Sequence, residues 1–128
     1  LVINADVYTD MPVPDVNLAA AHLGHLVLVP TPGYRSAGDF DLEDGLLRNG
    51  ERRYTFSGVA VYRPEFFAIA PTGRFSVAPM LREAAAAGTL GGTLFEGMWE
   101  DVGTPERLEL ALQEVNLAAQ EMQLRVLR

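Results

Sequence analysis

Apolar positions along this chain fall in short runs broken by glycine, proline and acidic turns. The first run, Leu-Val-Ile-Asn-Ala over residues 1–5, is almost continuous and closes on Asp6. Such continuity predicts a strand buried on both faces, as in a parallel sheet. Pro12 and Pro14 make 10–14 a turn, because neither proline fits inside regular structure there. Asp15 predicts an N-cap for a helix over 16–23, which Gly24 would end. His-Leu-Val-Leu-Val at 25–29 predicts a second buried strand, stopped by Pro30 and Pro32.

Residues 33–38 read as a loop. Strands are predicted over 39–42, 45–48 and 54–62, with Asp44-Gly45 and Asn49-Gly50 as hairpin turns. Pro64 suits the first turn of a short helix over 65–69. Met80, Leu81, Ala84 and Ala85 recur at helical spacing within 77–87, and Gly88 closes that helix. Two more strands are expected, over 89–96 and 98–101. Thr104-Pro105-Glu106 then supplies an N-cap, a proline at the first helical position and an early acid. Leu108, Leu112, Val115 and Leu117 give this last helix an apolar stripe that runs on towards Leu124. The order of elements predicts an α/β fold with a mixed sheet. No βα unit precedes the first strand, so an uncovered apolar sheet edge is expected, with its liability for association. A missing segment, or another chain through self-association, is expected to cover it.

Composition narrows the function classes. The 128 residues are 48% hydrophobic, enough for one modest domain with a real core. Cysteine is absent, which excludes a disulfide framework or zinc-thiolate site and suits a reducing, cytoplasmic setting. No apolar run approaches the roughly 20 residues of a membrane-spanning helix. The start lacks both the basic region of a signal peptide and an initiator methionine, so truncation or processing is expected. Net charge is −7, and all ten basic residues are Arg. Only Arg52 and Arg53 are adjacent, so an acidic chain without a basic patch disfavours nucleic acid as a partner. The same balance is compatible with a cation site.

An Asp at the end of a strand, as Asp6 is expected to be, sits where open α/β sheets bind ligands. A carboxylate there needs a cation or hydrogen bonds to offset its desolvation. Asp101 ends another expected strand just before a helix N-terminus. Read alone, Asp6, Asp101 and Asp39 are each ordinary turn residues, and Gly58 is a strand bulge. Ser57 pairs within the sheet, and Asn4 closes a turn. His22 and His25 bracket the end of the first expected helix; their spacing of three and the helix-to-strand change disfavour a metal pair, and their default role is surface or core packing. Tyr8 and Tyr34 are loop candidates for stacking on a substrate.

Asn4-Ala5-Asp6, with Trp99-Glu100-Asp101-Val102-Gly103-Thr104-Pro105-Glu106 near the other end, resembles the sugar-1-phosphate nucleotidyltransferase family. Thr55-Phe56-Ser57-Gly58-Val59 resembles the strand that lines that family's sugar pocket. The run at 25–29, Gly38-Asp39-Phe40, and Phe75 with Ala78-Pro79-Met80-Leu81 look like one branch, the N-acetylmuramate-1-phosphate uridylyltransferases of cell-wall recycling. Mannose-1-phosphate guanylyltransferases are near relatives of that branch. The resemblance implies a Rossmann-like nucleotidyltransferase fold with a mixed central sheet. Residues 1–128 would be its C-terminal half, the metal and sugar-phosphate side, without the N-terminal nucleotide-binding βα units.

The reaction so implied is attack of a sugar 1-phosphate oxygen on the α-phosphorus of a nucleoside triphosphate, with pyrophosphate leaving in line. Carried over by motif, Asp6 and Asp101 hold Mg2+. Asp39, Ser57 and Gly58 contact the sugar phosphate, Asn4 supports nucleotide or metal, and no protein nucleophile is needed. Trp99 would be core, close to the site. Ala5 departs from the family's commoner glycine. The family's glycine-rich loop, with its Arg and later Lys, has no counterpart here, so the chain alone is expected to be inactive. Two alternatives stand beside this reading: a non-catalytic sugar-binding or interaction domain of the same fold, and a GDP-mannose-forming enzyme. Asp39-Phe40-Asp41 also has the Asp-x-Asp spacing of metal-dependent glycosyltransferases, though away from the expected strand end.

Overall fold

The computed structural model describes residues 1–126 apart from 16 and 69. It divides into two compact units, Leu1–Asn4 with Pro12–Glu96, and Ala5–Met11 with Gly97–Arg128.

The first unit is a six-stranded mixed sheet. Its strands are β1 (Val2–Ile3), β3 (Gly24–Pro30), β4 (Asp41–Glu43), β5 (Leu46–Arg48), β6 (Tyr54–Tyr62) and β7 (Leu90–Leu94), in the order β1-β6-β3-β7-β5-β4. Only the β3–β7 ladder is parallel among the described strands. β3 is central, and Leu26, Val27, Leu28 and Val29 are buried in succession. This is the two-faced burial expected of its continuous apolar run. Helix α1 (Ala78–Ala86) sets Leu81 and Ala85 against one face, where Leu26, Leu28, Phe40, Leu47, Ala60, Phe66 and Leu90 complete the core. Each such large side chain contributes about 1.5–3 kcal/mol on burial.

Local signals hold where they are local. Asp44 and Gly45 both have positive φ (52° and 77°) and join β4 to β5 with Glu43 opposite Leu46, the two-residue hairpin expected. Gly88 ends α1 at φ 75°. Residues 64–67 form a single 3-10 turn on Pro64; Ile69, in the helix expected over 65–69, lies outside the described residues.

Three expectations are overturned. β1 is not a doubly buried parallel strand: it is two residues long, exposed, and antiparallel to β6 at the sheet edge. Residues 17–23 are irregular with a turn near Ala20 and Ala21 instead of helical, and Val16 of that expected helix lies outside the described residues. Asp15 Oδ1 accepts the Asn17 N–H (2.9 Å) in a local turn, and the Arg63 guanidinium donates to the carbonyls of Leu18, Ala19 and His22 (3.2, 3.2 and 2.8 Å). A long-range cation thus satisfies carbonyls that a helix would have used. Nor is Asn49-Gly50 a hairpin: β3 and β7 lie between β5 and β6. Gly50 instead leaves room for the Asp41 carboxylate, which a Cβ there would strike.

The second unit is a two-stranded antiparallel ribbon, β2 (Val7–Thr9) with β8 (Trp99–Asp101), and helix α2 (Pro105–Val126). α2 starts as its sequence predicts: Thr104 Oγ1 accepts the Arg107 N–H (3.3 Å), and Pro105 takes the first position. Its apolar stripe is not core, however. Leu108, Leu112, Val115, Leu117 and Leu124 are exposed, and Ala111 is its buried apolar residue among those described. Strands of three residues cover roughly 10 Å, whereas a helix of 22 residues runs roughly 33 Å.

Candidate functional site

The ribbon brings the two predicted metal ligands together. Asp6 lies in the turn that enters β2, and Val7 pairs with Asp101, so the carboxylates stand at the same end of the ribbon. The Val102 N–H donates to the Asp6 carbonyl (2.9 Å) and fixes that pairing. Gly103 lies between them. A Cβ on Gly103 would stand 2.9 Å from Asp6 Oδ2 and 2.9 Å from Asp101 Oδ1. The Gly103 N–H donates to Asp101 Oδ1 (2.8 Å), and Arg107 Nη1 donates to Asp101 Oδ2 (2.9 Å). Arg107 is itself held by Thr104 Oγ1 through Nε (3.1 Å). Asp6 is exposed and Asp101 half-buried.

This donor set fits a hard divalent cation in kind. Two carboxylates offer oxygen ligands, and Mg2+ normally takes one or two such groups and keeps several waters. Each Asp101 oxygen accepts one hydrogen bond, which leaves part of its roughly four lone-pair sites free. No third His, Cys, Asp or Glu joins them among the described residues.

The predicted sugar-side residues lie in the first unit. β6 carries a bulge where its pairing with β3 shifts between Leu26 and Leu28, and Gly58 takes φ 87° there. The Asn4 N–H donates to the Gly58 carbonyl (2.9 Å), and a Cβ on Gly58 would stand 2.7 Å from Asn4 Nδ2. Asn4 and Gly58 are therefore neighbours, and the glycine is required both by its φ and by this approach. Ser57 is 1% exposed, and its Oγ accepts the Val59 N–H (3.1 Å). Its hydroxyl is turned into the bulge.

Asp39 Oδ2 accepts the Phe56 N–H (2.8 Å), and Arg35 bridges both carboxylate oxygens (3.2 and 3.4 Å). Gly38 lets this turn press against the Tyr54 carbonyl and the Thr31 hydroxyl, where any Cβ would clash. Asp39, Phe40, Phe56, Ser76, Leu81 and Arg82 line a pocket of about 180 Å³. That is less than the roughly 300–1,000 Å³ of whole-ligand sites, so the pocket has room for only a fragment of a ligand. Asp41, by contrast, is a buried structural carboxylate that accepts the N–H groups of Glu51 and Arg53 and the Arg53 Nε. Asp39 and Asp41 answer to separate donors and do not form an Asp-x-Asp pair.

Tyr8 and Tyr34 are exposed, and Trp99 is half-buried in β8. Sequence reasoning missed the arginines. Arg35 and Arg107 each sit on a predicted site carboxylate. Their spacings, four residues before Asp39 and six after Asp101, were the available signal.

The fold is that of a nucleotidyltransferase. A crystal structure from Bacillus anthracis, named as a glucose-1-phosphate thymidylyltransferase in complex with a sucrose, matches with a TM-score of 0.55. It is 16% identical and covers 70% of this chain and 42% of its own. By sequence the chain is similar to two curated nucleotidyltransferases, the resemblance its motifs suggested. It is 39% identical over 121 residues to the N-acetylmuramate alpha-1-phosphate uridylyltransferase of Neisseria meningitidis serogroup B, over 87% of this chain and 52% of that protein. The protein of the same name from Caulobacter vibrioides is 38% identical over 79 residues, covering 58% of this chain and 33% of its own. The chain thus spans about half the length of the first of these curated relatives and a third of the second. No family model matches it.

Proposed function

We propose that this chain supplies the cation and sugar-phosphate side of a nucleotidyltransferase that joins a sugar 1-phosphate to a nucleoside triphosphate, with N-acetylmuramate 1-phosphate and UTP as its substrates. The observation that carries the reading is the meeting of the Asp6 and Asp101 carboxylates at Gly103. Bound between them, Mg2+ would neutralise and align the two phosphates for in-line displacement. The chain's own residues prepare that site. Arg107 and the Gly103 N–H orient Asp101 before any ligand arrives, and pre-set dipoles avoid reorganisation during reaction. Arg35 and the Phe56 N–H hold Asp39 as an acceptor for a sugar hydroxyl. A sugar lacking that hydroxyl would leave the carboxylate poorly matched, which is how such a group selects.

The test is a pyrophosphate-release screen on the purified protein that carries this chain in full. N-acetylmuramate 1-phosphate and mannose 1-phosphate are each paired with UTP and GTP. Release is expected with the first sugar and UTP, and none is expected from the isolated 128-residue chain. Release by the isolated chain would overturn the half-site reading. Release with mannose 1-phosphate and GTP in its place would reassign the substrates, and sugar binding without release from any pair would favour a non-catalytic domain.

A further inference from the structure

We propose that His22 and His25 form a two-imidazole site for a borderline transition-metal cation such as Zn2+, seated over Gly91. His25 stands on β3 directly beside Gly91 of β7 in their parallel ladder. His22 lies two residues before β3, in the irregular segment that leads into it. A Cβ on Gly91 would stand 2.8 Å from His22 Nδ1 and 3.0 Å from His25 Nδ1. Two ring nitrogens therefore converge on the one position of the ladder without a side chain. Zinc is held by imidazole nitrogens at about 2.0–2.1 Å, and an ion in the space over Gly91 would have both nitrogens as its neighbours.

The surroundings favour this use. His25 Nε2 lies 3.2 Å from Thr93 Oγ1, two residues along β7 from Gly91. With Nε2–H donating to that hydroxyl, Nδ1 keeps its lone pair towards Gly91; fixing the tautomer by the other nitrogen is how ligating histidines are prepared. The His22 backbone is anchored at both ends: its N–H donates to Ala19 (2.9 Å), and its carbonyl accepts from Arg63 Nε (2.8 Å). The Arg63 cation is occupied by three carbonyls of this segment. Both rings are partly exposed, so water can fill the remaining positions. Imidazole donors suit zinc, copper or nickel rather than magnesium, which separates this site chemically from the carboxylate pair.

The experiment is a calorimetric titration of the full chain with ZnCl2 near neutral pH, with MgCl2 in parallel and thermal melts of each mixture. One Zn2+ per chain and a raised melting temperature are expected, with no such shift from Mg2+ through these residues. His22→Gln abolishes the binding. Gly91→Ala keeps both rings but fills the point between them, and weakens zinc by tenfold or more, about 1.4 kcal/mol. Thr93→Val weakens it by about tenfold through the lost orientation of His25. His22 lies outside the strands, so its variant folds even if His25→Gln does not. Zinc binding unchanged in His22→Gln, or lost only in Asp6→Asn, would overturn the proposal, as would no zinc binding at all.

Discussion

Replacing Asp41 by Asn removes a single charge from a site whose donors are all named. The carboxylate is 7% exposed and accepts from the Glu51 N–H (2.5 Å), the Arg53 N–H (3.0 Å) and Arg53 Nε (2.9 Å). An Asn keeps one oxygen but turns an NH2 towards donors that need an acceptor. Losing a charge-assisted bond while leaving buried donors unmatched costs about 1.5–3 kcal/mol. At roughly 4 °C per kcal/mol for a domain of this size, that lowers the melting temperature by about 6–12 °C. The pH dependence follows from sign. The Arg53 N–H, with its guanidinium and the Glu51 N–H, holds Asp41 below the usual carboxylate range against the opposing effect of burial. The unfolded chain therefore binds the proton more readily. The stabilisation is complete above the ordinary carboxylate value near 4 and is lost as pH falls through the lower folded value. Thermal melts followed by circular dichroism at neutral and acid pH test this. The gap between wild type and Asp41→Asn is expected to be full at pH 7 and to close on acidification below about pH 4. A gap unchanged with pH, or no gap at pH 7, would refute the reasoning. The consequence reaches the site, because the Gly38 N–H beside Asp39 donates to the Arg52 carbonyl (2.9 Å) in the stretch that Asp41 ties down.

Gly58→Ala combines an unfavourable φ of 87° with a contact of 2.7 Å to Asn4; a loss of about 1–3 kcal/mol is expected in denaturant titrations, and adding Asn4→Ala should recover only the part owed to the Asn4 amide, because the residue-4 Cβ stays 2.9 Å from the new methyl and φ is unchanged. Gly103→Ala pushes both carboxylates outward from their 2.9 Å approach while the fold persists; a Mg2+ titration of the transfer rate should show a weaker apparent affinity by about tenfold, and an unchanged one contradicts the site. Burial, and then Glu114, hold the Glu100 carboxyl above its ordinary value. The folded chain thus binds that proton more tightly, and charged Glu100 weakens the fold as pH rises through that range; Glu100→Gln should raise the melting temperature at pH 7 and not at pH 3, and no rise at pH 7 counts against it.

What could be read from the sequence was what neighbours in sequence decide. The two-faced apolar run of β3, the Asp44-Gly45 hairpin and the Thr104-Pro105 start of α2 are set within a few residues, and all three stand as expected. The failures come from contacts made far along the chain. Residues 17–23 carry helix-like composition, but Arg63 takes the carbonyls of Leu18, Ala19 and His22 from some forty residues away. Asn49-Gly50 has hairpin chemistry, yet β7 reaches β5 first and leaves β6 to β3. The site divides the same way. Asp6, Asp101 and Asp39 are visible because each lies in a short stretch that resembles a family motif. Arg107 and Arg35 are not, because a guanidinium that orients a carboxylate looks in sequence like any surface cation. The Gly91-Gly92 pair is explained by approach: Leu47 and Leu42 pack over Gly92, and two imidazoles over Gly91.

The Asp6–Asp101 pair is the central claim, and one measurement reaches it most directly. In the protein that carries this chain in full, the Mg2+-dependent rate of pyrophosphate release is compared among wild type, Asp6→Asn and Asp101→Asn, with melts to confirm folding. If the two carboxylates hold the cation as proposed, removing either is expected to lower the rate by at least about 100-fold, with the Mg2+ requirement shifted to higher concentration. Two folded variants that keep both the wild-type rate and the wild-type Mg2+ dependence would contradict it.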